Sequence, residues 1–285
     1  LKPLCWNVKG CRGDREGVGT PLVMTCTIPA HSGLPDITLL LTSKEGEAAE
    51  FMEGWGGRLH LGLDLEWKPT FRKGEYSRAA TLQICSGARV LVFDLTAIRQ
   101  KQARPLPTAL WNFLEDDNHW FYGMGLLEDA ARLAFEFDCL ISGVDFVEGK
   151  AHPGALQLGG GLTGVANRVL GTAVQQSKRV SRSNWDARPL TEAQLRYIAE
   201  DAYLSWALAE HLLLLGPSEP QWLLTPAEIY GHGKNVRAAG HAVKDASHDW
   251  EAARAEHEEK GRERDRKRKL AGREGEREAA QKRLR

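Results

Sequence analysis

The densest chemistry in the chain lies in the run Gly62-Leu63-Asp64-Leu65-Glu66-Trp67. It follows Leu59-His60-Leu61, and its alternation predicts a β-strand over 59–67. Strand side chains alternate faces, so Asp64 and Glu66 share one face while Leu63 and Leu65 point into the body. Two adjacent carboxylates repel each other; a divalent cation removes that penalty and makes the pair a ligand set. An edge strand with a solvated acidic face has the same pattern, so the pair gains meaning only from partners elsewhere. Asp129 is one: it falls at the head of a predicted helix, where the helix N-terminus would also stabilise a carboxylate with no other role. Tyr197 and Asp201 are another, four residues apart and hence on one helical face. A core tyrosine beside a solvated aspartate shows that spacing too.

Strands are predicted at 37–41, 59–67, 78–85, 89–95, 119–124 and 143–147, with a hairpin turn at Ser86-Gly87. Helices are predicted at 43–55, where Thr42 and Glu45 have capping-box spacing, and at 108–117, 126–138 and 162–170. The last and longest runs from the cap Thr191 to Leu215, ahead of Gly216 and Pro217. The order is three hairpin-linked strands, then helix, strand, helix, strand. That is the plan of an RNase H-like α/β fold: a mixed central sheet, three antiparallel strands then parallel ones, flanked by helices. The expected organisation is an irregular segment over 1–35, the main domain over 36–216, a peripheral extension over 217–250 with a short helix after Pro226, and a charged tail over 251–285.

The 285 residues carry no net formal charge and are 42% hydrophobic, enough for a sizeable core. The charge is unevenly spread: 251–285 holds 13 Lys/Arg against 9 Asp/Glu, which leaves the body slightly acidic. Basic clusters at Arg262, Arg264, Arg266 to Lys269 and Lys282-Arg283 suit a nuclear address, an affinity for phosphates, or a solvated helix. Five cysteines without a C-x2-C pair argue against a disulfide framework and for a reducing compartment. No apolar run reaches the length of a membrane span, so no membrane partner is expected. The sequence opens on Leu1 rather than Met, which leaves a preceding signal or transit segment open. The nine histidines form no H-x-E or H-E-x-x-H pattern, which disfavours a zinc enzyme.

Taken together, Asp64-x-Glu66, Asp129 and Tyr197-x-x-x-Asp201 resemble the DEDD-type 3′–5′ exonucleases of the tyrosine subclass. Leu63 to Pro69 and Ala80-Thr81-Leu82-Gln83-Ile84-Cys85 are most similar to Werner-syndrome-type exonuclease domains. Lys178-Arg179 followed by Ser183-Asn184-Trp185-Asp186-Ala187-Arg188-Pro189-Leu190-Thr191 resembles the Werner and ribonuclease D branches. The resemblance covers roughly 36–216 and carries no helicase portion. It implies that Asp64, Glu66 and Asp201 hold the metal bearing the attacking water. Asp64 would bridge to a second metal that Asp129 supports through water, and Tyr197 would orient the water. Of Glu128 and Asp129, the spacing from Gly125 favours Asp129.

The chemistry follows without the family as well. Phosphodiester hydrolysis needs an activated water, neutralised phosphate charge and a stabilised leaving oxygen. Two ions about 3.5–4 Å apart supply all three, and hard carboxylate oxygens suit Mg²⁺ or Mn²⁺. Leu65 and Trp67 could pack on the terminal base and sugar, or in the core. Lys178, Arg179 and Arg182 could hold phosphates, with Asn184 and Trp185 beside them, or be ordinary surface charge. The expected activity is release of nucleoside 5′-monophosphates from DNA 3′ ends. The rivals are ribonuclease D-like processing of RNA and a catalytically silent nucleic-acid-binding protein on the same fold. Relatives also form rings, so a homo-oligomer is compatible with the resemblance.

Overall fold

In the computed structural model the described residues are 22–26, 32–55, 57, 59–72, 75–100, 106–146, 160–215, 224–225, 227–229 and 231–232. The strands are β1 (Leu22–Cys26), β2 (Ile37–Thr42), β3 (Leu59–Trp67), β4 (Ala79–Ser86), β5 (Arg89–Asp94), β6 (His119–Gly123) and β7 (Gly143–Asp145). The helices are α1 (Glu45–Glu53), α2 (Leu95–Gln100), α3 (Thr108–Leu114), α4 (Leu126–Phe137), α5 (Gly161–Val169), α6 (Lys178–Ser181) and α7 (Glu192–Leu215). Seven strands form one mixed sheet in the order β1-β2-β5-β4-β3-β6-β7. The meander β3-β4-β5 is antiparallel, and β6 and β7 add in parallel beside β3. On the other flank β2 runs parallel to β5, with β1 antiparallel outside it. This is the expected α/β, RNase H-like arrangement.

Apolar burial explains why these segments are strands. β4 is buried along its length except at Ser86, so its run Ala-Ala-Thr-Leu-Gln-Ile-Cys shows no clean alternation. β4 and β5 pair up to Ser86 opposite Arg89, so the turn is Gly87-Ala88, one residue later than expected. Gly87 has φ +61°, and a glycine at the first central position is the signature of a II′ hairpin.

Helix α7 is the main clamp. Its start is a reciprocal capping box: the Gln194 backbone N–H donates to Thr191 Oγ1 (3.3 Å), and the Thr191 N–H donates to Gln194 Oε1 (2.9 Å). Ile198, Ala199, Ala202, Leu204 and Leu208 are fully buried, each of the two leucines contributing about 1.5–3 kcal/mol by burial. Gly62 lets the helix come close to β3. A Cβ there would lie 2.1 Å from the Ala202 carbonyl oxygen and 2.7 Å from the Trp206 amide nitrogen.

Several expectations need correction. The segment 1–35 is not wholly irregular, because β1 joins the sheet beside β2 across the boundary expected at 36. Its five residues, Leu-Val-Met-Thr-Cys, are too short a run to stand out among glycine and proline. Thr42 does not box with Glu45: its hydroxyl donates to Glu47 Oε2 (2.5 Å), and α1 starts from Lys44. Helix α2 was not expected, since Leu95 reads as the last residue of a strand. The extension after 216 reaches the sheet, with the Leu224 N–H donating to the Gly143 carbonyl (2.7 Å) and Ile229 buried. The chain divides into units 1–242 and 243–285; the expected tail 251–285, with its basic clusters, lies outside the described residues.

Candidate active site

β3 lies between β4 and β6, and its two-residue period puts Asp64 and Glu66 on the face that carries Gly62. That is the face α7 covers, and the residue before Ala202 is Asp201. The close approach at Gly62 therefore brings the third carboxylate to the first two. Oxygens of Asp64, Glu66 and Asp201 all lie within 4.8 Å of one another, the one such cluster of potential metal ligands among the described residues.

Among the described residues no ion pair is formed to this trio. Asp64 Oδ2 is buried without a hydrogen-bond partner. Burial, followed by the charge of Asp201, holds the Asp64 carboxyl well above its usual range. Burial and then the charges of Asp64, Asp201 and Asp129 do the same to Glu66. Asp201 is pushed up to about 6 by burial, against a hydrogen bond from Gln176 that favours its ionised form. A half-buried, all-oxygen, mutually repelling set with one orphaned oxygen fits a hard divalent cation.

Asp129 lies at the start of α4, 4% exposed, and stands outside the trio. Burial and then the charge of Asp64 raise its carboxyl well above the usual range, so it faces the site electrostatically. The capping bonds at the start of α4 go to another residue. Asp145, at the end of β7, accepts from the N–H groups of Gly125 (2.9 Å) and Leu127 (2.8 Å). Glu128 turns away to pair with Arg132 at 3.0 Å and is half exposed, which leaves Asp129 as the residue facing the site.

Tyr197 lies one turn before Asp201 on α7. Burial and then the charges of Asp201, Glu66 and Asp64 raise the phenol above its ordinary value, so it stays protonated and acts as a donor. Its ring packs 5.9 Å, centroid to centroid, from that of Trp185. Trp185 is fully buried, with its indole N–H donating to the Ser181 carbonyl (3.0 Å). Arg188 braces the same loop: it grips Asp94 through Nη2 (2.6 Å) and Nε (2.7 Å) and donates to the carbonyls of Trp185 and Ala80. The cis bond Arg188-Pro189 follows directly. The Ser-Asn-Trp to Arg-Pro block is thus a brace behind Tyr197.

This revises the expected nucleic-acid contacts. Leu65, 3% exposed, and Trp185, fully buried, belong to the core and do not present a face to a substrate. One face of the Trp67 ring is covered by the Arg132 guanidinium, 3.7 Å from the ring centroid. Lys178, Arg179, Arg182 and Asn184 are exposed. The sequence reading missed Asp145, Arg188 as a brace, and Gln176, whose amide donates to Asp201 Oδ1 at 2.5 Å. Each acts across a long sequence separation and leaves no local pattern.

Residues 41–216 match the 3′–5′ exonuclease family. A 3′–5′ exonuclease of Arabidopsis thaliana is 31% identical over 157 residues, covering 53% of this chain and 52% of that protein. The bifunctional 3′–5′ exonuclease/ATP-dependent helicase WRN of Mus musculus is 30% identical over 170 residues, covering 59% of this chain and 12% of that one. The chain thus spans about half or less of the relatives it matches. Among solved structures, Escherichia coli RNase D, an exoribonuclease, superposes with a TM-score of 0.50 at 19% identity, over 71% of this chain and 48% of that one, a likeness of fold. With its acidic trio, Asp129 and Tyr197 set on this fold, the chain belongs to the DEDD family of 3′–5′ exonucleases.

Proposed function

We propose that this chain is a two-metal 3′–5′ exonuclease of the tyrosine subclass that releases nucleoside 5′-monophosphates, with DNA 3′ ends as its substrate. The observation that carries this reading is the clustered trio Asp64, Glu66 and Asp201, half-buried on β3 and buried on α7, with its unpaired Asp64 oxygen and with Tyr197 one turn before Asp201. Mg²⁺ or Mn²⁺, when bound, would supply an activated water, screening of phosphate charge and stabilisation of the leaving 3′-oxygen. Asp64, Glu66 and Asp201 would hold one ion, Asp64 would be shared with a second, and Asp129 would support that second ion through water. Tyr197 keeps its proton and orients the attacking water through its hydroxyl. Exposed Lys178, Arg179 and Arg182, on and just after α6, would grip the phosphate backbone, with Asn184 beside them. The similarity to WRN favours DNA and a nuclear setting, in which the chain would act alone or as a homo-oligomer.

The test uses 3′- and 5′-labelled oligonucleotides with Mg²⁺, Mn²⁺ or EDTA. Single-stranded DNA, duplex with a recessed 3′ end, and RNA are run in parallel. Stepwise shortening from the 3′ end of DNA, abolished by EDTA and by Asp64→Ala, is expected. Faster shortening of RNA would replace the substrate assignment. Near-wild-type turnover by Asp64→Ala would overturn the two-metal reading, and binding without hydrolysis in any metal would leave a silent binding protein.

A further inference from the structure

Asp201 is preceded on its helix by another buried acid, Glu200, 2% exposed. Side chains at consecutive helical positions diverge and do not face a common point. A single amide reaches the second of them: Gln176, partly buried in the segment between α5 and α6, donates from Nε2 to Asp201 Oδ1 at 2.5 Å. Glu200 is held by Arg196 Nε at 2.7 Å.

The orientation of the amide follows from its partners. An ionised carboxylate only accepts, so the nitrogen end of the amide faces Asp201. The oxygen end accepts from the Thr163 hydroxyl at 2.5 Å, and Thr163 belongs to α5. The segment carrying Gln176 is itself fixed to α5 through Asn167. Asn167 Oδ1 accepts from the Thr172 hydroxyl (2.7 Å) and the Val174 N–H (3.0 Å), and its Nδ2 donates to the Val174 carbonyl (2.9 Å). The chain of contacts therefore runs from α5 through Gln176 to the acid that faces Asp64 and Glu66.

We infer that Gln176 is a positioning residue: its amide, oriented by Thr163, clamps Asp201 and aims it at the β3 carboxylates. This rests on the reading of those carboxylates as metal ligands. The clamp is neutral, so it fixes Asp201 without cancelling the charge that attracts a cation.

The test is Mn²⁺ binding by the full chain, read from the electron paramagnetic resonance of free Mn²⁺ and from melting with and without the ion. Gln176→Leu keeps the bulk and deletes the donors. Its Mn²⁺ half-saturation is expected to rise about 10- to 100-fold, the usual effect of losing a partner that orients a ligand. Thr163→Val, which frees the amide oxygen, is expected to shift it the same way by less. A purely structural glutamine would lower the melting temperature of the metal-free protein and leave the Mn²⁺ midpoint alone; that result overturns the inference. Should Gln176→Leu fail to fold, an unchanged midpoint in Thr163→Val overturns it equally. A wild-type chain that binds no Mn²⁺ removes the metal site itself, a failure distinct from one confined to the variants.

Discussion

Substituting Gly62 by alanine adds one carbon on the face where α7 crosses β3. That carbon would sit 2.1 Å from the Ala202 carbonyl oxygen and 2.7 Å from the Trp206 amide nitrogen, both backbone atoms that no rotamer change can move. Ordinary contact begins near 3.4 Å, so helix and strand must separate by more than an ångström at the point where Asp201 meets Asp64. Overpacking of this kind costs about 1–3 kcal/mol, which for a domain of this size lowers the melting temperature by roughly 2–12 °C. The effect on turnover should be larger in proportion, because a misplacement of about 1 Å can cost on the order of 100-fold in rate. The assay is calorimetric melting alongside single-turnover cleavage of a labelled oligonucleotide, with Gly46→Ala as control. Gly46 lies within α1 with nothing within 4 Å of an added Cβ, so its replacement should stabilise by up to about 1 kcal/mol. A Gly62→Ala protein with native melting and native turnover would refute the view that this crossing sets the site.

Tyr197→Phe keeps the ring contact with Trp185 but deletes the hydroxyl; a rate loss of roughly 10- to 1000-fold with little change in melting temperature is expected. Unchanged turnover with a large drop in stability would make Tyr197 a packing residue. The raised acids of the site bind protons more tightly folded than unfolded, so the stability they contribute is full below about pH 4 and lost as pH rises through the folded value, about 6 for Asp201. Metal-free protein should therefore lose melting temperature across that window more steeply than Asp201→Asn, and Mn²⁺ should restore it above pH 6; identical slopes would contradict the burial argument. Arg188→Ala should cost about 3 kcal/mol, or roughly 6–12 °C, by leaving Asp94 with only its bonds from Thr96 and removing a donor from the carbonyls of Trp185 and Ala80. A change of under a degree would show that the brace is dispensable.

Where a residue's role is set by its own strand or helix, the sequence made it legible. The alternation in 59–67 gave both the strand and the shared face of Asp64 and Glu66. Thr191 and the apolar repeat after it gave α7 and the common face of Tyr197 and Asp201. Long-range partners were hidden. Asp145 caps a helix about 20 residues earlier in the chain, and Arg188 reaches back to Asp94, so neither leaves a trace in a local window. Trp185 read as a substrate contact because a motif records that a residue matters without recording which way it points. The strand β1 was lost for a related reason: five residues on a sheet edge carry too little periodicity to compete with surrounding glycine and proline.

The three clustered carboxylates come from two parts of the chain: β3 supplies two, and α7 supplies the third more than 130 residues later. During synthesis, Asp64 and Glu66 leave the ribosome long before Asp201 has been joined to the peptide. At about 5–20 residues per second, that interval is roughly 7–27 s. Through all of it the nascent chain, held beside messenger and ribosomal RNA, has a ligand pair without its closing member. A chain cut short before α7 would have the strand but no site. The dispersal of the acids along the sequence thus delays the three-carboxylate cluster until α7 has been made.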